Sequence, residues 1–309
     1  MLRFTMPDTS LPLSEIKLLL KEQFNEFLSC EAMSKIMSIL NTDINNLSEK
    51  YNGRKLSNGS IRETFEFNEE HVLEQYKYEL YPFLKELGCF NINKPLSSNH
   101  SHIIVLGGTQ GSCHSRTMCT NNCTDSSTEY VDGLACYRPI SPTERKNPSY
   151  PVSETEFGAM NDAFLNYFNL SENDIEDNFS GNRNLNNISN IRTFKSSTNN
   201  ITYRILAAPS SQPDIRRADT ADTMKFYMDN TNLDETSNVL AITDNRYCNR
   251  QFLQLVYEML NNNMLFGLDI IGCSSDDEIY SVEEYNPYQH VQNLIGIIDW
   301  IVRFNNNIF

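Results

Sequence analysis

From residue 102 onward, short apolar runs alternate with longer segments of helical periodicity, and this alternation constrains the fold more than any other feature of the chain. The apolar runs of strand length are HIIVLG, YVDGLACY, TYRILAA, NVLAIT and LFGLDIIG. The candidate helices are ETEFGAMNDAFLNYFN, TADTMKFYMDN, NRQFLQLVYEMLNN and HVQNLIGIIDWIVRF. Strands that alternate with helices at this spacing predict βαβ units, and uninterrupted apolar runs are typical of parallel strands covered on both faces. We therefore expect an α/β fold with a three-layer, Rossmann-like, mostly parallel sheet.

The N-terminal third differs because it contains only helical patterns. Apolar residues recur at helical spacing within residues 12–48, and a second helical segment covers residues 68–88. The sequence thus predicts a helical N-terminal segment over residues 1–95, followed by a Rossmann-like α/β domain over residues 96–309. Inside that domain, residues 171–200 are rich in Asn and Ser, which predicts a long surface excursion.

The charge of the chain limits its partners. The net charge is −15, from 40 acidic and 25 basic residues. A field of this sign repels phosphate backbones and anionic lipid surfaces, so we expect neither nucleic acid nor a membrane as a partner. The N-terminus lacks the apolar core of a signal peptide, and no segment approaches the roughly 20 apolar residues of a membrane span. We expect a cytoplasmic protein, with a secreted effector as the alternative.

The eight cysteines are expected to be reduced thiols, because the chain shows no secretory signal. Cys119 and Cys123 have the spacing of one half of a zinc site, but a second clean pair is missing around them. No metal site is predicted.

Polar residues gather where the candidate strands end, which is where open parallel sheets bind ligands. The first run is followed by Gly107, Gly108 and Thr109, with Arg116 further on. Glycines let backbone N–H groups approach a phosphate or carboxylate, and Arg116 offers a bidentate partner. The pattern is neither the dinucleotide fingerprint nor a Walker loop. A simple turn at the end of a strand is the alternative.

A second polar group follows the strand LACY, with Arg138, Glu144 and then SETEFGAM. Ser153 and Glu156 have the spacing of a helix capping box, which explains both without any catalysis. Glu154 is not explained in that way. As a pair, Glu154 and Glu156 are candidates for acid/base catalysis or for binding ribose hydroxyls.

A third and a fourth polar group follow two later strands. TYRILAA is followed by RRADTADT, in which Asp219 or Thr220 is the expected N-cap and Arg217 precedes the helix N-terminus. NVLAIT ends at Thr243 and is followed by DNRYCNR, which contains Arg250. A parallel sheet brings all four groups to one edge, and this convergence favours a ligand site.

In this order, the four stretches resemble the bacterial family of YdcF/SanA-like proteins. Its members have a strand ending in Gly-Gly with an Arg beyond it, an acidic helix start, a polar x-x-T-x-x-N-like stretch, and a late strand followed by an Arg-bearing helix. The matching parts are Gly107, Gly108 and Arg116, then SETEFGAM, RADTADT and VLAITDNRYCNR, within residues 102–272. The chain also looks like a smaller group of uncharacterised intracellular-bacterial proteins with a T-A-D-T element and a C-terminal D-x-x-x-R helix.

The resemblance implies a Rossmann-like fold with a small-molecule pocket at the strand ends. The family is linked to envelope functions and, in one branch, to S-adenosylmethionine binding. This chain departs from the pattern at two places: Asp222 stands where Glu-Asn is usual, and DNRYCNR lacks the usual His. No catalytic role is therefore carried over from that His.

Together these features predict a protein that binds an anionic small molecule, either a nucleotide or a nucleotide-derived cofactor such as S-adenosylmethionine. Glu154 and Glu156 would orient a sugar or act as acid and base. If the protein is an enzyme, a hydrolase or transferase acting on a nucleotide or phosphate ester is the expected class. The alternative is a non-enzymatic interaction protein, or a secreted effector, that binds a protein partner through its N-terminal helices. The residues assigned to the anionic ligand are Gly107, Gly108, Thr109, Arg116, Arg217, Thr220, Thr243 and Arg250.

Overall fold

The computed structural model describes residues 1–52, 72–90, 92, 94–142, 144–146, 150–171, 175–181, 185–196, 199–273 and 281–309. A seven-stranded sheet has the order β3-β4-β5-β2-β1-β6-β7. Five of its strands are parallel, and β3 and β4 pair antiparallel at one edge. The strands are β1 (His102–Leu106), β2 (Tyr130–Ala135), β3 (Ile175–Ser180), β4 (Ser189–Phe194), β5 (Thr202–Ala207), β6 (Asn238–Thr243) and β7 (Gly267–Gly272).

The parallel strands wind outward from β1 in both directions. The chain first adds β2 and β5 on one side of β1, and then adds β6 and β7 on the other side. The direction of winding therefore reverses between β1 and β6, which is the topological switch point of the sheet. All the strands expected from apolar runs are present, and the prediction of a three-layer Rossmann-like fold is confirmed.

Helices cover both faces of the sheet, and they are α5 (Gln110–Thr120), α6 (Glu156–Tyr167), α7 (Thr220–Asp229), α8 (Cys248–Asn261) and α9 (Pro287–Asn307). Along β1, Ile103 and Val105 face the core under α5 and α6, whereas Ile104 and Leu106 face the core under α7, α8 and α9. Three of the four predicted helices begin and end within two residues of the expected positions, and α9 extends three residues beyond each end of its predicted segment.

The N-terminal region is helical, as expected, but its first pattern forms separate helices. They are α1 (Leu13–Ser29), α2 (Glu31–Ile39) and α3 (Ile44–Tyr51), and α4 (Lys77–Glu86) follows later. The first four residues of the second predicted segment, 68–71, lie outside the described residues. The helices share one apolar core with α8 and α9, and the Phe24 and Phe304 rings are 5.0 Å apart. Arg3 also pairs with Asp269 of β7. The N-terminal segment thus packs directly against one side of the sheet.

Two predictions need correction. Residues 171–200 contain β3 and β4, which extend the sheet, so this stretch is not simply a surface excursion. The side chains of β3 lie mainly at the surface, which explains its polar composition. The expectation of reduced thiols is wrong for Cys119 and Cys273, which form a disulfide across 154 residues. The fold brings their Cα atoms to 6.2 Å, a proximity that sequence spacing does not reveal.

Candidate functional site

The loop after β1 lies at the switch point and passes closely over the start of α6. A Cβ atom on Gly107 would clash with Glu156 Oε1 and would stand 2.6 Å from the carbonyl oxygen of Leu134. Only glycine lets the chain approach both groups without displacing one of them. Because Gly107 has no side chain, the buried carboxylate of Glu156 lies directly against the loop.

The loop continues into α5, a helix that the sequence patterns did not predict. Thr109 is its N-cap, and the Thr109 hydroxyl accepts a hydrogen bond of 3.2 Å from the Ser112 N–H. The side chain of Thr109 is exposed. The Gly-Gly-Thr stretch is thus a strand end and a helix start at once, with the first turn of α5 at the switch point.

Arg116 joins the two loops that flank the switch point. Its Nε donates to Asp244 Oδ1 over 3.0 Å, and its Nη2 lies 2.8 Å from Asp244 Oδ2. Its Nη1 donates to the carbonyl oxygens of Leu106 and Gly107, each over 2.5 Å. Arg116 is only 2% exposed. Its guanidinium therefore holds the loop after β1 to the loop after β6.

Asp244 is held in its charged form by this arrangement. Burial alone would raise the pKa of its carboxyl group, but Arg116 and the Ser112 hydroxyl, which donates over 3.1 Å, lower the pKa below its ordinary value. The two loops are consequently bound by a charged pair in which Arg116 is almost fully buried and Asp244 is half-buried.

Arg138 lies in the loop three residues after the end of β2, and it contacts two carboxylates. Its Nε donates to Glu156 Oε2 over 2.6 Å. Its Nη1 and Nη2 donate to the two oxygens of Glu144 over 3.0 and 3.2 Å, and Nη2 also reaches the carbonyl oxygen of Gly108. One guanidinium thus faces two negative charges and the Gly-Gly loop together.

The carboxylate of Glu144 lies at the N-terminus of α5. Its Oε2 accepts the N–H of Gln110 over 3.0 Å, and its Oε1 accepts the N–H of Ser141 over 3.4 Å. Burial alone would raise the pKa of Glu144, but the hydrogen bonds and charge of Arg138, helped by these N–H groups, lower it. We call the position formed by Arg138, Gln110 N–H and Ser141 N–H the anion seat.

Gln110 also brings a buried side-chain amide to this region. Its Oε1 accepts the N–H of Ser153 over 3.4 Å, and the residue is 1% exposed. Its Nε2 has no hydrogen-bond partner among the described residues. The residue whose backbone N–H binds Glu144 therefore also carries a buried side-chain donor that is unsatisfied. Burying such a donor without a partner costs free energy of folding.

The predicted carboxylate pair is divided between two environments. Glu156 lies against Arg138, whereas the side chain of Glu154 is exposed and its carbonyl oxygen accepts the N–H of Ile140 over 2.9 Å. The expected capping box is wrong, because Thr155 caps α6 through a bond to Gly158 N–H. Ser153 instead donates to Asp162 over 2.5 Å.

The hydroxyls of Thr243 and Thr220 are connected through one glutamine. Thr243 at the end of β6 bonds to the side-chain oxygen of Gln251, whose Nε2 donates to the Thr220 hydroxyl over 3.4 Å. These threonines therefore link β6, α8 and α7.

The remaining predicted cations lie beside other elements. Asp219 is the N-cap of α7, and Arg216 pairs with Asp222 in its first turn. Arg217 donates to the carbonyl oxygen of Ala218 over 3.2 Å. Arg250 lies in the first turn of α8 with its side chain against α9, where a Cβ on Gly296 would be 2.8 Å from Arg250 Nε.

The structure thus gathers part of the predicted set. Gly107, Gly108, Thr109, Arg116 and Glu156 lie around the loop after β1. Arg138 and Glu144 were noted in the sequence but not assigned to the site. The sequence feature that could have assigned Arg138 to the candidate site is its position three residues after β2, the strand beside β1.

The comparisons with known proteins return no relative. No protein-family model matches the chain, and neither a curated protein nor a solved structure matches it. Within the described ranges, no group of three or more His, Cys, Asp or Glu side chains is arranged to hold a metal ion. None of the helices in the described part of the chain has both the length and the apolarity needed to cross a membrane.

Proposed function

We propose that the chain binds an anionic small molecule, a nucleotide or nucleotide-derived cofactor, at the carboxyl ends of β1 and β2. The observation that carries this proposal is the carboxylate of Glu144, held by the two terminal nitrogens of Arg138 and by the Gln110 N–H at the start of α5. An arginine fork beside a helix N-terminus is a standard geometry for binding phosphate or carboxylate groups.

The position in the fold supports the proposal independently. The anion seat adjoins the switch point, where open α/β sheets form a crevice for ligands. Gly108 adjoins the seat, because its carbonyl oxygen accepts a hydrogen bond from Arg138 Nη2. Arg116 contributes by joining the loops after β1 and β6. We assign it a positioning role, because its own charge is paired with Asp244.

Glu156 gives the site an acceptor beside the anion seat. Its carboxylate is held by Arg138 at 2.6 Å and lies against Gly107. In this proposal it accepts hydrogen bonds from sugar hydroxyls, as acidic residues do in nucleotide-binding crevices. Glu156 is also the group best placed for acid/base chemistry on a bound phosphate ester.

The proposal is tested by titrating the protein with inorganic phosphate, adenosine 5′-monophosphate, ATP and S-adenosylmethionine while its thermal unfolding is followed. A ligand at a hundredfold excess over its Kd stabilises the folded state by about 2.7 kcal/mol. Arg138→Lys keeps the positive charge and loses the planar fork, so we expect it to weaken binding at least tenfold.

Arg145→Gln is the matched control, because Arg145 is an exposed arginine on the same turn as Glu144. It should bind like the unaltered chain. Absence of a shift with every ligand, or equal affinities of the unaltered protein and Arg138→Lys, would contradict the proposal.

A further inference from the structure

We infer that Glu144 is a tethered internal ligand of the anion seat, and that an incoming anionic group binds by replacing it. This inference rests on the proposed function and adds a mode of regulation to the same site. The seat is a ready-made oxyanion site that the chain fills with its own carboxylate until a ligand competes for it.

The groups of the seat differ in how they are held. Arg138 and Glu156 belong to the frame, by which we mean the sheet, its helices and the segments that are hydrogen-bonded to them. The Glu156 N–H donates to the Arg138 carbonyl oxygen over 3.0 Å, and Pro139 bridges to Thr155. Glu144 instead enters from the short turn Glu144–Lys146, outside the sheet and its helices. Release of the Glu144 side chain therefore leaves Arg138 and Glu156 in place.

The charges around Arg138 favour replacement of Glu144 by a ligand over binding of the ligand beside Glu144. Arg138 already faces the carboxylates of Glu144 and Glu156, so this group of three side chains carries one net negative charge. A further anion beside them would be repelled at short range. When Glu144 leaves, Arg138 and Glu156 balance each other, and the anionic group of a ligand takes the place of the departed carboxylate.

The unsatisfied amide of Gln110 points to a larger occupant than a carboxylate. Glu144 accepts the backbone N–H of Gln110, but the buried Nε2 of that residue has no partner among the described residues. A phosphate group offers at least three strong acceptor oxygens where a carboxylate offers two. A phosphate in the seat thus brings a third acceptor oxygen beside the residue that carries this unsatisfied donor.

The test compares Glu144→Gln with the unaltered chain by calorimetric titration with adenosine 5′-monophosphate and with inorganic phosphate. A short tether presents its group at an effective concentration on the order of millimolar. Removing the competing charge should therefore tighten binding at least tenfold. Glu129→Gln is the control, because Glu129 is an exposed glutamate at the opposite end of β2 and loses the same charge. It should bind like the unaltered chain.

The outcomes separate this inference from the proposed function. Tighter binding by Glu144→Gln alone supports both. Equal affinities in all three proteins, with loss of binding in Arg138→Lys, keep the proposed function and overturn the inference. Failure of every protein to bind either probe overturns the proposed function and the inference with it.

Discussion

Two arginines, Arg204 and Arg138, are mostly shielded from solvent and bind carboxylates in contrasting ways. Arg204 of β5 forms a one-to-one pair with Asp132 of β2, with Nε and Nη2 at 2.7 and 2.8 Å from the two carboxylate oxygens. Its remaining donors reach the Asn230 carbonyl oxygen and the Thr231 hydroxyl. This group is neutral, and every partner belongs to the frame of the sheet or the end of α7.

Arg138 instead serves two carboxylates, and one of them comes from a surface turn. The exposed fractions of the two arginine side chains are nearly equal, 12% for Arg204 and 11% for Arg138. Burial and hydrogen bonding therefore do not distinguish a structural pair from a candidate binding site. The balance of charge and the origin of each partner do distinguish them.

The largest loss in the free energy of unfolding is expected from Arg204→Gln. Asp132 is 0% exposed, and loss of its partner would leave a buried carboxylate without compensation, at a cost of about 3–5 kcal/mol. Urea unfolding measures this cost. Arg192→Gln is the control, since Arg192 makes a similar bidentate pair with Asp177 in the more exposed β3–β4 edge. A change of about 1 kcal/mol or less is expected there, and equal losses would contradict the distinction.

Gly107→Ala should have the next largest effect, because it acts on the frame around Arg138. The added Cβ would meet a backbone carbonyl and the Glu156 carboxylate, and overpacking of this kind costs about 1–3 kcal/mol. Because Glu156 must move, binding of adenosine 5′-monophosphate should weaken as well.

Gly111→Ala is a matched control for that substitution. Its added Cβ would have only an ordinary contact of 3.7 Å with the Tyr150 ring, and Gly111 lies in the first turn of α5. Alanine is favoured over glycine in a helix by up to about 1 kcal/mol, so Gly111→Ala should be neutral or stabilising. Destabilisation by both variants would show that the loop tolerates no side chain, and would remove the special role of Gly107.

The sheet was predictable because its parallel strands are buried on both faces. Runs such as HIIVLG and NVLAIT contain little besides apolar residues, and all but the first residue of NVLAIT is buried. The helix α5 was missed because its buried face includes His114, Arg116 and Thr117, which leaves no apolar period to detect. Strand β3, with the sequence IEDNFS, is likewise hidden by its exposed polar side chains.

The sequence indicates where the candidate site lies, but it does not indicate which side chains pair with each other there. The rule that ligands bind at strand ends selects Gly107, Gly108 and Glu156 from the sequence alone. It does not reveal that the guanidinium of Arg116 binds Asp244, which lies 128 residues later in the chain. Nor does it indicate that Glu144 folds back onto Arg138. Such pairings depend on which loops the topology brings together, and spacing along the chain does not encode them.

The smallest effect is expected from Glu144→Gln on stability. Arg138 keeps Glu156 as a partner after this change, so no buried charge is left alone, in contrast to Asp132 after loss of Arg204. We expect a cost of about 1 kcal/mol at neutral pH, the net contribution of one hydrogen bond, because glutamine keeps an oxygen acceptor at this position. A loss as large as that of Arg204→Gln would mean that Glu144 belongs to the frame.

The difference in unfolding free energy between the unaltered chain and Glu144→Gln should depend on pH. The pKa of Glu144 is lowered from its ordinary 4.5 in the folded protein, so its stabilising contribution is complete above about pH 4.5. The contribution is lost as the pH falls through the folded pKa, because the carboxylate then takes up a proton and Arg138 loses a charged partner. Urea unfolding of the unaltered chain and of Glu144→Gln between pH 7 and pH 3 should give free energies that converge at the acid end. A constant difference would mean that the charge of Glu144 contributes nothing to the folded state, and that its place in the anion seat rests on shape alone.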